Sequence, residues 1–300
     1  MDHTEAADDD HVYLSLTEEH DGADARWAFG TGFTDPLHGV DTELPDGVDA
    51  AELAAVCLAL GDDALVSAQR LAEWCTRAPE LEEEVALANI GLDLLGQARM
   101  LYARCGQVDG TGRGEDAYAY FRDPADFRNV ALAELPNGDF AFSVTRLLVL
   151  AAWRLALLGR LATGPDPVLA AIAAKAVPEL TYHRQYAADW VVRLGDGTEE
   201  SHRRMRAALE DLAPYVEEIL AATAAAKSAA GSAAGSAEIG TAVREETLGV
   251  LHQVLTAAGL ELPARPTAPY RGRSGEHTDH LAPLLEELQS VARAHPEATW

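Results

Sequence analysis

The sequence predicts an all-α protein built as an antiparallel bundle of long helices. From Asp49 almost to the C-terminus, apolar residues recur at i, i+3, i+4 and i+7, and few stretches alternate as strands do. Helix start and stop signals divide this region into long segments joined by short turns. The chain has 300 residues and 48% hydrophobic content, which suffices for a sizeable buried core.

The first helices are predicted from their ends. One segment spans residues 49–77, and the next begins at Pro79, where proline and a run of acids suit a helix N-terminus. Gly106 is a predicted C-terminal cap for this second helix. After a loop rich in Asp and Gly, Asn137-Gly138-Asp139 is a turn and cap signal that opens a third long helix over residues 140–162.

The remaining helices follow the same logic. Asp166-Pro167 predicts a fourth long helix to residue 194, with Pro178 as the site of a kink, and a more polar helix covers residues 198–227. The Ala/Gly/Ser tract at 229–237 indicates a flexible loop. Two further helices are predicted at 238–258 and 281–295. Four long helices with short turns favour a ferritin-like antiparallel bundle with additional C-terminal helices.

Charge distribution divides the chain into two regions. Residues 1–50 hold fourteen acids and one arginine, about half of the formal net charge of −26. Residues 1–47 are therefore predicted to be an acidic, mostly irregular arm, followed by one helical domain over 48–300. Such acidity repels phosphate backbones, so nucleic acid is excluded as a partner.

Cysteine usage and hydropathy indicate a cytoplasmic protein. The three cysteines Cys57, Cys75 and Cys105 lie in helical patterns without C-x-x-C spacing, and we expect them to be buried thiols in a reducing compartment. No signal peptide is visible at the N-terminus. The most apolar stretch, residues 147–162, contains two arginines and is too short to span a bilayer, which places it in a protein core and not in a membrane.

The sequence lacks a complete metal site of the kind such bundles hold. A carboxylate-bridged di-iron centre needs a carboxylate on each of two helices and a Glu-x-x-His pair on each of the other two. An acid precedes a histidine by three residues only at Asp8/His11, Asp35/His38 and Glu199/His202. The first two pairs lie in the irregular arm, and the third suits an exposed charged first turn.

The long core helices offer only fragments of a site. Glu179 and His183 are four residues apart, and Leu180 occupies the position three before the histidine. The second helix has no histidine, and Asp93 and Gln97 are its polar groups in an apolar run. A lone core histidine is more often a hydrogen-bonded structural residue than a ligand. We therefore predict neither catalytic nor metal-binding residues in this chain.

Other active-site patterns are also missing. The sequence has no glycine-rich phosphate loop after a strand, no G-x-S-x-G and no cysteine near an activating histidine, which excludes kinases and hydrolases. His277 and His280 form a small polar cluster with Asp279 before the last helix. Capping, polar core or interface contacts suit this cluster better than metal binding.

Several long motifs resemble one known family. These are EWCTRAPELEEEVALANIGLDLLGQARMLY, ELPNGDFA, AAIAAKAVPELTYHRQYAADWVVRLGDGT and EHTDHLAPLLEELQ, followed by the terminal Trp300. In this order they are similar to the PaaC family of subunits of bacterial phenylacetyl-CoA 1,2-epoxidase, over about residues 52–300. The acidic arm and the Ala/Gly/Ser tract depart from that pattern.

The resemblance implies a place in a multicomponent monooxygenase of phenylacetate breakdown. In that family a PaaA subunit holds the di-iron centre, and PaaC is its ferritin-like, non-catalytic sister. A PaaB subunit joins the complex, and a PaaE reductase passes electrons from NADPH. The substrate is phenylacetyl-CoA and the oxidant is dioxygen.

Aligned with the catalytic sister, this chain has a degenerate set of ligand positions. The two Glu-x-x-His pairs fall on Leu94/Gln97 and Leu180/His183, and the single carboxylates fall near Ala64 and Ala151. The resemblance thus implies a structural subunit that needs no cofactor of its own.

Two alternatives remain open at this stage. One is an independent di-iron or di-manganese enzyme that uses Asp63, Asp93, Glu179 and His183 as ligands. The other is a regulatory module that binds CoA esters through Arg70, Arg99 or Arg184, since arginine suits phosphate recognition.

Overall fold

The computed structural model describes residues 37, 39–223, 233–264 and 269–298. The compact unit that holds the helices runs from Gly39 to Trp300. The last part of the predicted arm therefore belongs to it, and the Thr42 carbonyl accepts a hydrogen bond from Arg104 Nη1 at 2.8 Å. The arm up to residue 36 lies outside the described residues, as does His38, so the Asp8/His11 and Asp35/His38 pairs fall there too.

Nine α-helices occur in the described residues, and the part of the chain that the structure covers has no β-strand beyond one isolated bridge between Arg271 and Glu276. The helices are α1 Ala50–Ala72, α2 Leu81–Val108, α3 Glu115–Tyr120, α4 Ala131–Glu134, α5 Phe140–Leu161, α6 Pro167–Gly195, α7 Glu199–Ala222, α8 Ala233–Ala257 and α9 Leu281–Ala294. The predicted fold class, an all-α ferritin-like bundle with further C-terminal helices, is confirmed.

Side-chain caps fix where four helices begin. Asp49, Asp139 and Asp166 each accept a hydrogen bond from the backbone N–H three residues later, and Thr198 forms a capping box with Ser201. These side-chain oxygens accept hydrogen bonds from backbone N–H groups that have no partner inside the helix. The start positions are therefore determined by local sequence. The predicted starts near these residues agree with the structure.

Helix α5 forms the centre of the core. It packs closely against α6 and also contacts α7 and α8, and α1 packs closely against α2. Helix α5 is long and apolar enough to cross a membrane, with mean hydropathy 1.7, yet 89% of that stretch is buried inside the protein. Trp153 at its middle is fully buried and donates from Nε1 to Thr223 Oγ1 at 2.9 Å.

Three predicted boundaries were wrong. Helix α1 ends at Ala72 and not at residue 77, and Thr76 in the following turn has a φ of 68°. Gly106 lies inside α2, where a Cβ would approach the Arg113 carbonyl oxygen to 2.0 Å, so its role is close packing of a loop. Helix α8 begins at Ala233, so the second half of the Ala/Gly/Ser tract is helical, in keeping with the high helix propensity of alanine. The first half lies outside the described residues.

The expectation of three buried thiols was also wrong for one cysteine. Cys57 and Cys105 are buried, but Cys75 is exposed because it falls in the turn after α1 ends. Burial raises the pKa of the Cys105 thiol to about 11, so this thiol stays protonated and unreactive at neutral pH.

Candidate functional site

The six degenerate ligand positions all lie in the buried core. They come from four helices, α1, α2, α5 and α6, as a ferritin-like centre requires. Each is at most 3% exposed: Ala64, Leu94, Gln97, Ala151, Leu180 and His183. Four of the six are Ala or Leu, which supply no donor atom to a metal. The residues that the family resemblance places at ligand positions are therefore buried, and four of them have no side-chain donor atom.

A buried arginine lies beside these residues. Arg154 lies three residues after Ala151 on α5, and its side chain is 2% exposed. Its Nη2 donates to Gln97 Oε1 at 2.9 Å and its Nη1 donates to the Leu60 carbonyl at 3.2 Å. Its Nη1 also lies 3.8 Å from Asp63 Oδ2. One guanidinium thus links α1, α2 and α5 at the centre of the bundle.

Arg154 keeps its positive charge at neutral pH. Burial lowers its pKa to about 10, the Asp63 carboxylate opposes this shift, and the Arg273 guanidinium adds to it. A pKa of about 10 leaves the group protonated at pH 7. Guanidinium has donors and no acceptor, so it cannot ligate a metal ion. Its Nε has no partner among the described residues.

Gln97 extends the polar contacts from the core toward the surface. Its Nε2 donates to Glu179 Oε2 at 2.9 Å, and the other oxygen of Glu179 pairs with the Lys175 ammonium. A polar chain therefore runs from Arg154 in the core to Lys175, which is about one third exposed. Both oxygens of Glu179 are therefore occupied by contacts with Gln97 and Lys175.

His183 on α6 forms a hydrogen bond with an acidic side chain on α2. Its Nε2 lies 2.9 Å from Asp93 Oδ2, while its buried Nδ1 has no partner among the described residues. Burial lowers the pKa of His183, and the Asp93 carboxylate offsets part of this shift. The imidazole is therefore neutral at pH 7. We call Asp93, Gln97, Arg154, Glu179 and His183 the remnant cluster.

The remnant cluster does not fit a di-iron centre. Its single histidine has no glutamate three residues earlier, and the cation of Arg154 would oppose a second positive charge. Within the ranges that the structure describes, no three His, Cys, Asp or Glu side chains are grouped as a metal site. The donor set present can position charges and hydrogen bonds, but it offers no ligand shell.

Asp63, a ligand of the alternative enzyme hypothesis, belongs mainly to a second network. Arg273 reaches it from the C-terminal segment with Nη1 to Oδ1 at 2.9 Å and Nη2 to Oδ2 at 2.6 Å. Asp63 Oδ1 also accepts the Val130 N–H at 2.8 Å. This carboxylate therefore holds a loop and the C-terminal segment against α1. Sequence analysis missed Arg273 because its partner is 210 residues away.

Glu134 and His277 form the next link of the same network. Glu134 is fully buried and accepts from His277 Nδ1 at 3.0 Å and from the Thr278 N–H at 2.6 Å. Burial favours a neutral imidazole, but the hydrogen bond and charge of Glu134 outweigh it and raise the pKa of His277. His280 contributes its carbonyl oxygen to Arg70 Nη2 at 3.3 Å and its side chain makes no capping bond.

Glu218 on α7 completes this network. It accepts the Ala131 N–H at 3.0 Å and the Gly272 N–H at 3.2 Å. Burial raises the pKa of Glu218 to about 7, although both N–H groups and Arg273 favour the charged form. Gly272 packs so closely that a Cβ would lie 1.9 Å from the Asn129 carbonyl oxygen. We call residues 272–278, held by Asp63, Glu134 and Glu218, the C-terminal clasp.

The remaining candidates have ordinary structural contacts. His202 Nδ1 lies 2.7 Å from the Gly195 carbonyl, at the turn between α6 and α7. Of the arginines suggested for CoA binding, Arg70 is buried and donates to the Glu134 carbonyl, and Arg99 pairs with Glu115 at 2.8 Å. Arg184 is half-buried on α6. Arg70 and Arg99 are thus already paired within the protein.

Comparison with known proteins identifies the family. Residues 41–300 match the family model described as "Phenylacetic acid catabolic protein". The chain belongs to this family. It is 41% identical over 254 residues to the C subunit of the 1,2-phenylacetyl-CoA epoxidase of Escherichia coli (strain K12), and the alignment covers 83% of this chain and 99% of that protein. The resemblance predicted from the long motifs is confirmed.

Proposed function

We propose that this chain is a non-catalytic structural subunit of a multicomponent phenylacetyl-CoA epoxidase, and that it pairs with a di-iron PaaA-type subunit. The observation that carries the proposal is Arg154, whose guanidinium donates to Gln97 Oε1 at 2.9 Å among the degenerate ligand positions. The similarity to an epoxidase subunit of Escherichia coli supports membership of such a complex.

A buried cation can replace part of what a metal does for the fold. Metal ions in this type of bundle link several helices and neutralise inward carboxylates. Arg154 links α1, α2 and α5 and lies 3.8 Å from the Asp63 carboxylate. The bundle thus stays cross-linked without binding iron. A rigid bundle of this kind supports ligand geometry in a partner packed against it.

The rest of the complex supplies the chemistry. In this proposal the PaaA-type subunit binds the di-iron centre and oxygenates phenylacetyl-CoA, a PaaB-type subunit joins the assembly, and a PaaE-type reductase delivers electrons from NADPH. The complex acts in the cytoplasm in phenylacetate catabolism. The contribution of this chain is structural, and it holds no cofactor of its own.

The contacts do not favour the two alternatives. An independent metalloenzyme would need Asp63, which already accepts from Arg273 and Val130. It would also need Glu179, which accepts from Gln97 and pairs with Lys175. A CoA-binding module would need free arginines, but Arg70 donates to backbone carbonyls inside the protein.

The proposal is tested by co-purification with the PaaA-type subunit encoded in the same genome. We expect a stable complex in which iron follows the partner, and phenylacetyl-CoA turnover that requires the partner and the reductase. This chain with the reductase alone should show neither di-iron absorbance nor turnover. Stoichiometric iron on this chain together with turnover would contradict the proposal.

A further inference from the structure

Asp63 on α1 faces two guanidinium groups but pairs closely with only one of them. Arg273 of the clasp makes a bidentate contact, with Nη1 to Oδ1 at 2.9 Å and Nη2 to Oδ2 at 2.6 Å. Arg154 of α5 stands farther away, because its Nη1 lies 3.8 Å from Asp63 Oδ2, which is too long for a hydrogen bond. The Asp63 side chain is fully buried. One buried carboxylate is therefore shared unequally between two cations.

Arg154 has a donor that no described residue uses. Its two Nη groups donate to Gln97 Oε1 and to the Leu60 carbonyl, but its buried Nε–H has no partner among the described residues. A buried donor without an acceptor costs free energy, and guanidinium carries five N–H donors in all. A closer contact with the Asp63 carboxylate would therefore stabilise Arg154.

The C-terminal clasp is anchored by polar contacts. Its sequence over residues 272–278 is GRSGEHT, which contains no apolar side chain. Its anchors are hydrogen bonds and ion pairs with three buried carboxylates, those of Asp63, Glu134 and Glu218. The clasp itself thus buries little apolar surface, and segments of this kind open locally more easily than a hydrophobic core does.

Opening of the clasp takes Arg273 away from Asp63. A buried carboxylate that loses its partner is strongly unfavourable unless another group compensates for the loss. Arg154 is placed to compensate, because its Nη1 is 3.8 Å from the carboxylate and its Nε is unpaired within the described residues. The charge of Arg273 also opposes that of Arg154, and this repulsion ends when Arg273 leaves. Asp63 therefore has a different partner available for each position of the clasp.

We propose that Asp63 is a switch between two arginines, which pairs with Arg273 when the clasp is closed and with Arg154 when the clasp is open. Arg154 thus allows residues 272–278 to open while the helical bundle stays folded. Because Arg154 also donates to Gln97 Oε1 on α2, the position of the clasp is linked to the contacts of the remnant cluster. The switch lies within this chain and is independent of the proposed partner subunits.

Hydrogen exchange of the full-length chain at pH 7, read by mass spectrometry, tests this switch. Peptides that cover residues 271–280 report opening of the clasp, and peptides from α5 report global unfolding. In the wild-type chain we expect the clasp amides to be at least about a hundredfold less protected than the α5 amides. Equal protection in the two regions would overturn the proposal, because the clasp would then not open on its own.

Arg154→Met removes the second partner of Asp63. This variant should raise the protection of the clasp amides at least about tenfold, because opening would leave the carboxylate without a cation. The same variant should lower the protection of the α5 amides, since it leaves buried acceptors unpaired. The two regions thus change in opposite directions. Arg160→Met on the same helix is the matched control, and it should change clasp protection by less than about twofold.

Two further variants separate charge from packing. Arg154→Lys keeps the positive charge, and it should return clasp protection to within about threefold of the wild-type value. Arg154→Gln is neutral but polar, and it should raise clasp protection as Arg154→Met does. The glutamine variant replaces the methionine variant in the comparison if the latter does not fold, which circular dichroism and thermal melting check.

Each outcome decides for or against the switch. Higher clasp protection in the neutral variants, with recovery in Arg154→Lys, supports it. Unchanged or lower clasp protection in a folded neutral variant would show that Asp63 does not turn to Arg154 on opening, and would overturn the proposal. Raised protection in all three variants, with lysine included, would show an effect of side-chain shape and not of charge, and would overturn it as well.

Discussion

The remnant cluster and the C-terminal clasp both place charge in the core, but they use it differently. In the remnant cluster two buried nitrogens, Arg154 Nε and His183 Nδ1, have no described partner, and the Asp93 side chain is 38% exposed. In the clasp the Asp63 and Glu134 side chains are fully buried and each accepts at least two hydrogen bonds. Asp63 and Glu134 are thus fully paired, whereas the remnant cluster is only partly satisfied.

This difference shows where carboxylates matter in this chain. Buried charges persist when partners and hydrogen bonds compensate for lost hydration. Asp63 and Glu134 meet that condition because Arg273, His277 and loop N–H groups converge on them. Asp93 and Glu179 in the remnant cluster instead bind side chains at the edge of the core. The fold therefore places its best hydrogen-bonded carboxylates where they hold a loop and the C-terminal segment, and not in an inward ligand shell.

The largest expected effect is the loss of stability when Asp63 of the clasp is removed. The matched comparison is the removal of Asp93 from the remnant cluster. Asp63→Ala leaves Arg273 without its carboxylate and the Val130 N–H without an acceptor, and it should lower the free energy of unfolding by about 3 to 5 kcal/mol. Asp93→Ala removes one partly exposed hydrogen bond to His183 and should lower it by about 1 kcal/mol. Urea unfolding at pH 7 measures both. Equal losses for the two variants would remove the distinction between the regions.

A second prediction concerns Arg154 itself. Arg154→Met keeps the side-chain volume but leaves Gln97 Oε1 and the Leu60 carbonyl without their donor, and it should lower the free energy of unfolding by about 2 to 4 kcal/mol. Arg160→Met on the same helix removes a partly exposed pair with Glu246 and should change it by less than about 1 kcal/mol. An Arg154→Met variant with unchanged stability would show that the cation does not support the bundle.

A third prediction concerns how the stability of the clasp depends on pH. The pKa of Glu218 is about 7 in the folded chain, above its ordinary value of 4.5, so the folded state binds more protons between these values. Stability should therefore fall as pH rises from 4.5 to 7, by up to roughly 3 kcal/mol. The raised pKa of His277 adds a further loss as pH rises above 6.5.

Glu218→Gln isolates this contribution. The amide oxygen can still accept from Ala131 and Gly272, but the group no longer titrates. In this variant, stability should fall much less between pH 5 and 7. The loss of stability above pH 6.5 that His277 causes should remain. Urea midpoints measured at several pH values test this. An unchanged pH profile would show that Glu218 titrates normally in the folded chain.

Local sequence was sufficient to predict the helices. The caps at Asp49, Asp139, Asp166 and Thr198 act within three residues, so their chemistry is visible in the sequence. The degenerate ligand positions came from the family resemblance, and their assignment stays a prediction. The prediction failed at Cys75 and in the Ala/Gly/Ser tract, where a helix end and a helix start lay a few residues from their expected places.

The clasp could not be predicted because its contacts are long-range. Arg273 and Asp63 are 210 residues apart, and Thr278 and Glu134 are 144 apart. Arg154 did leave a signal, since a charged residue inside an otherwise apolar helix needs a buried partner. That signal was used only to exclude a membrane span, and the partner Gln97 lies on another helix.

The most direct test of the account is the iron content of this chain purified alone from iron-supplied cells, beside the PaaA-type subunit purified in the same way. The account predicts iron and a di-iron absorbance in the sister subunit, and only trace iron removed by a chelator in this chain. Tightly bound, stoichiometric iron in this chain would contradict the claim that Arg154 and its neighbours have replaced a metal centre.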